Sequence, residues 1–228
     1  VSETQSEHEA CKKRWGKTPL QILDRYGVWD TRAIAAHCVW TTEEDWALMA
    51  EKGVSCIHNP VSNLKLGSGV AWIPAMKRAG VNIALGTDGV SSNNNHDMFE
   101  EMKFAAILHN GVTHDPLALL PRQVLAMASR DGARALGRRT GQIVPGYTAD
   151  LILVDFDRPS LTPCHSVEDN LVYSARGSDV VMNMARGKII YKDGTFFTLD
   201  LERIKAEVET YALPLLFGDG ASLADRRN

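Results

Sequence analysis

The sequence contains none of the short motifs by which a single chain usually forms a metal site. Its 228 residues include no H-x-H, H-E-x-x-H or C-x-x-C pair. The four cysteines are scattered along the chain, which predicts reduced thiols in a cytoplasmic protein and argues against a structural disulfide. No familiar short motif of this sequence therefore provides a complete four-ligand metal site.

Long apolar runs and runs of positive charge are also missing. No stretch approaches the roughly 20 apolar residues that a membrane span requires, and we expect no signal peptide. The net charge is -3 at pH 7, so the sequence lacks the excess of positive charge that binding to nucleic acid or to an anionic membrane surface requires. Neither partner is expected, and a small polar molecule is the more natural ligand.

Three short apolar runs are each followed by a side chain that can bind a metal or transfer a proton. The runs cover residues 32–36, 53–57 and 81–85, and the side chains after them are His37, His58 and Asp88. Helical patterns separate the runs, which predicts parallel strands joined by crossovers. Because chemistry in such folds occurs at the carboxyl ends of the strands, these three residues indicate an enzyme site.

The other elements follow from periodicity, caps and turn residues. A capping box of Thr41 and Glu44 is predicted to begin the helix between the first two runs. Short strands separated by glycine turns after Gly141, including a hairpin over 180–194, predict a small β-module. Helices are predicted over 5–15, 19–26, 41–52, 71–79, 97–108, 122–136 and 200–216, followed by a polar tail from Gly218.

Each candidate residue also has a purely structural interpretation. Asp88 could cap a loop, but the glycines on both sides favour a catalytic or metal role because they allow a ligand to approach closely. His37 could be an interior histidine, and its position at a matching strand end favours proton transfer. His58 could simply hold the His-Asn-Pro turn, and Asn63 and Ser92 could bind substrate or only satisfy loop backbone. The remaining histidines are interpreted as non-functional: His8, His96, His109, His114 and His165.

Several motifs together resemble the amidohydrolase superfamily. They are SET at 2–4, HNPVSNLKL at 58–66, GTDG at 86–89 and DMFEEM at 97–102. Within that superfamily they look most like the 5'-methylthioadenosine/S-adenosylhomocysteine deaminases, close to the triazine hydrolases. The resemblance implies an α/β fold, a (β/α)8 barrel with a small β-sandwich, and one divalent metal, usually zinc, with iron or manganese as alternatives.

The resemblance also implies that much of the site lies outside this sequence. Of the family's four metal ligands, only the aspartate is matched, by Asp88. Residues 1–138 would be the carboxyl-terminal half of the barrel, 139–196 β-sandwich strands, and 197–228 a helix and tail. The opening residues read as the end of a strand, so we expect a piece of a longer polypeptide that is inactive without the amino-terminal half of the barrel.

The implied reaction is the hydrolytic deamination of an aminopurine nucleoside, of the methylthioadenosine, S-adenosylhomocysteine or adenosine type. Asp88 would bind the metal and take a proton from the attacking water, His37 would hold that water, and Glu3 would bind substrate and protonate the ring nitrogen. Side chains that would contact substrate besides Glu3 are His58, Asn63 and Ser92.

Two alternatives stay open from the sequence. One is a chloro- or aminohydrolase of triazines or guanine on the same scaffold. The other is a metal-free module without catalytic activity. In each case we expect a cytoplasmic homo-oligomer.

Overall fold

The computed structural model describes residues 1–218. The predicted tail over 219–228 lies outside the described residues. Two sheets organise the chain, and the first is parallel, with strand order β1-β2-β3. Its strands are β1 (Ile34–Ala36), β2 (Ser55–His58) and β3 (Ile83–Leu85). The three predicted strands and the α/β class are confirmed.

The opening residues extend this sheet at the β1 edge. The Val1 nitrogen donates to the Ala36 carbonyl at 3.0 Å, and the Cys38 amide donates to the Val1 carbonyl at 3.2 Å. This alternation of donor and acceptor is that of a parallel pair of strands. It brings Glu3 beside the residues that follow β1.

Helices flank the parallel sheet and bury most of its strand residues. All three residues of β3 are buried, and Ala35 and Cys56 have no exposed surface. A parallel strand covered on both faces needs a continuous apolar sequence, and β3 has one. The helices before the second sheet are α1 (Gln5–Trp15), α2 (Pro19–Arg25), α3 (Glu43–Lys52), α4 (Pro60–Lys65), α5 (Ile73–Arg78), α6 (Val90–Asn93), α7 (Met98–Thr113), α8 (Pro121–Ala128) and α9 (Arg130–Ala135).

The second sheet is antiparallel and confirms the predicted strands after Gly141. Its order is β4-β5-β6-β7. The hairpin turn at Arg186 and Gly187 has φ angles of 50° and 76°, which is the left-handed geometry that two-residue hairpins favour. The strands are β4 (Leu151–Val154), β5 (Val180–Ala185), β6 (Lys188–Lys192) and β7 (Thr195–Phe196), and the remaining helices are α10 (Val167–Tyr173), α11 (Leu201–Glu207) and α12 (Leu213–Phe217).

Three sequence predictions need correction. The capping box of α3 consists of Thr42 and Asp45, because the Thr41 hydroxyl donates instead to the Cys38 carbonyl at 2.8 Å. The single helix predicted over 122–136 is interrupted at Ser129, whose φ and ψ of -130° and -88° are not helical. The helix predicted over 200–216 contains a π-helical turn at Val208–Ala212.

Three helices of the described residues were not predicted: α4, α6 and α10. Helix α4 begins directly after β2, with Pro60 in its first turn. Proline suits that position because its missing N–H would have no helical partner there. Separately, the described residues contain no helix long and apolar enough to cross a membrane.

Candidate active site

The backbone is strained where the strands of the parallel sheet end. His37 has φ of 71° and Asp88 has φ of 60°. Residues other than glycine rarely adopt this left-handed region, and each such residue costs about 1–3 kcal/mol. Such strain is concentrated at functional sites, where the surrounding structure holds it. The carboxyl end of this sheet is therefore the candidate active site.

Asp88 is held as a carboxylate. Its Oδ2 accepts a hydrogen bond from the Ser62 hydroxyl at 2.7 Å. That bond is the main reason why the pKa of Asp88 lies below its usual value, with smaller contributions from the Gly89 amide, His37 and Ser92, while burial opposes the shift. Asp88 is consequently an anion at neutral pH.

His37 lies between an amide and a second carboxylate. Its Nδ1 is 2.9 Å from the Asn63 Oδ1, and its Nε2 is 3.8 Å from the Glu3 Oε2. The side chain is 14% exposed. One ring nitrogen is thus fixed by the protein, and the other points towards a group that can exchange protons.

The backbone at Glu3 is fixed by the first turn of α1. The Ser2 and Glu3 amides both donate to the Glu7 carboxylate, at 3.0 and 2.8 Å. The Glu3 Oε1 accepts from the Ser68 hydroxyl at 3.2 Å, and its side chain is 31% exposed. A ligand can therefore reach this carboxylate. Glu3 and His37 lie together as the sequence suggests, and their catalytic roles stay predictions.

His58 lies under the site in the interior. Its Nε2 is 3.1 Å from the His109 Nε2, and its ring has no exposed surface. Its Nδ1 has no hydrogen-bond partner among the described residues. Burial lowers the pKa of both rings, that of His109 to about 4. Contact of His58 with a substrate stays a prediction, and the observed contact is with His109.

The spacing of α7 could have indicated that His109 points inward. Met102, Ala105 and Ala106 form the buried face of this helix, and His109 falls on the same face at helical spacing. From the sequence, His109 is interpreted only as non-functional. Its actual neighbour, His58, comes from a strand 51 residues away in sequence, and no local pattern indicates that pairing.

A buried carboxyl group of α7 links α4 to α6 beside Asp88, and sequence reasoning missed it. Glu101 has no exposed surface, accepts a hydrogen bond from the Asn93 amide, and accepts a longer one from the Val61 amide at 3.4 Å. The Asn93 amide also donates to the Thr87 carbonyl at 2.8 Å. Burial raises the pKa of Glu101 to about 7.

The donor groups of this region do not complete a metal site by themselves. Among the described residues, no three His, Cys, Asp or Glu side chains are grouped so that they could hold a metal ion. A zinc site in an enzyme takes about three protein ligands. Asp88 offers one anionic oxygen, so the described residues fit one ligand position and no more.

Comparison with known proteins identifies the family. Residues 1–190 match the family described as the Amidohydrolase family. The chain belongs to this family, as its motifs suggest. It is 48% identical over 216 residues to a 5'-deoxyadenosine deaminase of Methanosarcina mazei, covering 95% of this chain and 50% of that protein.

Two further relatives agree. A 5-methylthioadenosine/S-adenosylhomocysteine deaminase of Moorella thermoacetica is 50% identical over 210 residues, covering 91% of this chain and 49% of that protein. The crystal structure of an adenosine deaminase from Xanthomonas campestris, solved with bound zinc, superimposes with a TM-score of 0.87 at 40% identity. That match covers 91% of this chain and 48% of the other. The chain spans about half the length of the curated relatives that it matches.

Proposed function

We propose that this chain forms part of a metal-dependent enzyme that removes the amino group of adenosine-type nucleosides by hydrolysis. The observation that carries the proposal is the arrangement of Glu3, His37 and Asp88 at the carboxyl edge of one parallel sheet. Each of the three side chains is held by its own hydrogen bond. Deaminases among the relatives support the adenine-type substrate.

The protein groups suit the two proton transfers that the attack of water needs. Asp88 is a carboxylate at neutral pH, so it can accept a proton from the attacking water. Glu3 is reachable by a ligand and can deliver a proton to a ring nitrogen, which makes the adjacent carbon more electrophilic. His37 lies beside Glu3 and can hold the water in position. The proton on Asp88 can then pass to the amino group, which leaves as ammonia, and the proton of the newly attached hydroxyl can return to Glu3.

We propose zinc as the metal, with iron or manganese as alternatives. Asp88 would hold it together with ligands from polypeptide outside the described residues. When bound, such an ion lowers the pKa of water towards neutrality. The zinc in the Xanthomonas campestris structure supports this choice.

We propose that the parallel sheet belongs to the second half of a (β/α)8 barrel. Barrels of this kind have about 250 residues and carry their sites at the carboxyl ends of the strands. The extra pairing of Val1 at the β1 edge fits a fourth neighbouring strand. The proposed boundaries are 1–138 for the half-barrel, 139–196 for β-sandwich strands, and 197–228 for the terminal segment.

The other expectations from the sequence stay predictions. They are a triazine or guanine substrate, a metal-free module, inactivity of this chain alone, a homo-oligomer, a cytoplasmic location, and substrate contacts by His58, Asn63 and Ser92. No contact or distance in the described residues favours a triazine over a nucleoside.

The test is to complete the proposed barrel. The amino-terminal half of the Methanosarcina mazei deaminase would be fused to this chain, and the fusion and the chain alone would be assayed with 5'-deoxyadenosine, methylthioadenosine, S-adenosylhomocysteine, adenosine, guanine and atrazine. We expect the fusion to release ammonia from an adenine nucleoside and the chain alone to release none. Turnover of only guanine or atrazine, or none with any substrate by a folded, zinc-loaded fusion, contradicts the proposal.

A further inference from the structure

One short segment contacts all three candidate catalytic side chains. It runs over residues 62–68, from the middle of α4 to the loop after it, and is called here the bracing segment. Its side chains form the following bonds: Ser62 Oγ to Asp88 Oδ2 at 2.7 Å, Asn63 Oδ1 to His37 Nδ1 at 2.9 Å, and Ser68 Oγ to Glu3 Oε1 at 3.2 Å. Three groups from separate parts of the chain therefore share one support.

We propose that Ser62, Asn63 and Ser68 are positioning residues, and that Asn63 also sets the tautomer of His37. This inference rests on the proposed function, because it assigns these residues to the same reaction. None of the three needs to contact substrate or water. Their effect is to hold the reacting groups in the geometry and protonation state that the reaction requires.

The bracing segment is itself held rigidly. Ser62, Asn63 and Ser68 are 0%, 1% and 5% exposed. The Ser68 amide donates to the Asn63 carbonyl at 2.8 Å, and the Ser68 carbonyl accepts from the Trp40 indole at 2.8 Å. Buried side chains with fixed backbone have little freedom to turn. They can therefore impose a geometry on their partners without a further loss of entropy.

The partners need such support because their backbone is strained. His37 and Asp88 both have left-handed φ angles, and such residues persist only where the surrounding structure over-determines them. Neighbouring residues of one helix, Ser62 and Asn63, supply a hydrogen bond to each. The two strained strand ends are thus held at a fixed distance from one another by a single turn of α4.

The bond to Asn63 also decides which nitrogen of His37 carries the proton. An amide oxygen can only accept, so the Nδ1 that faces it must donate. In the neutral ring, Nε2 then has a free lone pair on the side of Glu3. His37 can therefore accept a hydrogen bond or a proton at Nε2, which the opposite tautomer could not do.

The first test determines the tautomer of His37 directly and needs no measurement of enzyme activity. Nitrogen-15 NMR of the His37 ring in the full chain at pH 8 should show a protonated Nδ1 and an unprotonated Nε2. Asn63→Asp keeps an acceptor oxygen and should keep this tautomer, whereas Asn63→Ala should shift the ring towards protonated Nε2. A protonated Nε2 in the unmodified chain, or an unchanged ring in Asn63→Ala, overturns the inference.

The matched control removes an asparagine side-chain amide at the other end of the sheet. Asn82 precedes β3, and its amide donates to the Ser55 hydroxyl and the Asp131 carbonyl, each at 3.0 Å. Asn82→Ala should leave the His37 tautomer unchanged. An equal shift in Asn82→Ala and Asn63→Ala would mean that the ring responds to general loosening of the fold, which also overturns the inference.

The second test uses the fusion with the amino-terminal half of the Methanosarcina mazei deaminase. Ser62→Ala, Asn63→Ala and Ser68→Ala should each lower kcat about 10- to 100-fold, with a smaller change in KM. Asn63→Asp should retain more activity than Asn63→Ala. The control is Ser55→Ala, which removes a buried hydroxyl at the amino end of β2 and should leave kcat unchanged.

The two tests separate failure of this inference from failure of the proposed function. An inactive fusion with the expected His37 tautomer overturns the proposed function and keeps the role of Asn63 in fixing the ring. An active fusion in which Ser62→Ala and Ser55→Ala have the same kcat overturns the positioning role and leaves the deaminase proposal standing.

Discussion

The Nε2 atoms of His58 and His109 lie 3.1 Å apart in the interior of the protein. At this distance one ring donates a hydrogen bond and the other accepts it, so the accepting ring is neutral. Burial lowers the pKa of each, and His109 further lowers the pKa of His58. The pair joins β2 to α7 directly beneath the candidate active site.

Because of this pair, we expect acid to destabilise the folded protein. In the unfolded chain both histidines take up protons near pH 6.5, whereas folded His109 does so only near pH 4. The unfolded state therefore binds more protons in this interval, and stability falls as the pH drops from about 6.5 to about 4. For His109 the loss is about 3 kcal/mol. Urea unfolding at a series of pH values measures it.

Two variants check the origin of that loss. His109→Asn removes one titrating ring and should flatten the pH dependence. His165→Gln removes an exposed histidine and should leave it unchanged. If both variants behave like the unmodified protein, the buried pair does not control acid stability.

Because of Glu101, we expect folding stability to depend on pH in the opposite direction over nearly the same pH range. Its pKa rises from 4.5 in the unfolded chain to about 7 in the folded protein. The folded state holds the proton in this interval, so this group lowers stability as the pH rises from 4.5 to 7. Glu101→Gln should therefore steepen the acid destabilisation caused by the histidines. Glu51→Gln, at an exposed glutamate of α3, should have no such effect, and equal slopes in the two variants would argue against a buried neutral Glu101.

At Gly86, just before Asp88, the structure leaves too little space for a side chain. A Cβ at this position would lie 2.8 Å from the Ile57 side chain and 3.0 Å from the Asn59 amide, which already donates to the Gly86 carbonyl. Gly86→Ala should cost about 1–3 kcal/mol. Gly111→Ala meets no atom within 4 Å inside α7 and should stabilise by about 0.5–1 kcal/mol. Thermal unfolding measures both, and equal effects would contradict this account.

Replacement of Glu3 should lower turnover without lowering the amount of bound metal. In the fusion with the amino-terminal half of the relative, Glu3→Gln removes the proposed proton donor and should lower kcat at least about 100-fold. Bound metal should not change, because Glu3 is not a proposed ligand. Glu9→Gln, an exposed glutamate of α1, is the control and should keep full turnover. Full activity in Glu3→Gln would refute the proposed role of Glu3.

Much of the fold follows from local pattern. The three parallel strands are apolar runs that end at polar side chains, and this pattern also located His37 and Asp88 at one edge of the sheet. The hairpin of the second sheet follows from its glycine turns. These features depend on neighbours in sequence, which is why sequence reasoning can find them.

The supports of the site depend on contacts between distant parts of the chain. The turn after His58 reads as a loop, so α4 was missed, and with it the bonds from Ser62 to Asp88 and from Ser68 to Glu3. Ser68 and Glu3 are 65 residues apart. Thr41 and Thr42 both fit a capping box, and only the Cys38 carbonyl, which binds the Thr41 hydroxyl, decides between them.

The most direct test of the account is a count of zinc, iron and manganese per chain by elemental analysis. It would be made on this chain alone and on the fusion with the amino-terminal half of the Methanosarcina mazei deaminase. We expect almost no metal in the chain alone, and about one ion per fusion that falls sharply with Asp88→Asn. One ion per chain without the added half, or a fusion whose metal content ignores Asp88→Asn, would contradict this expectation.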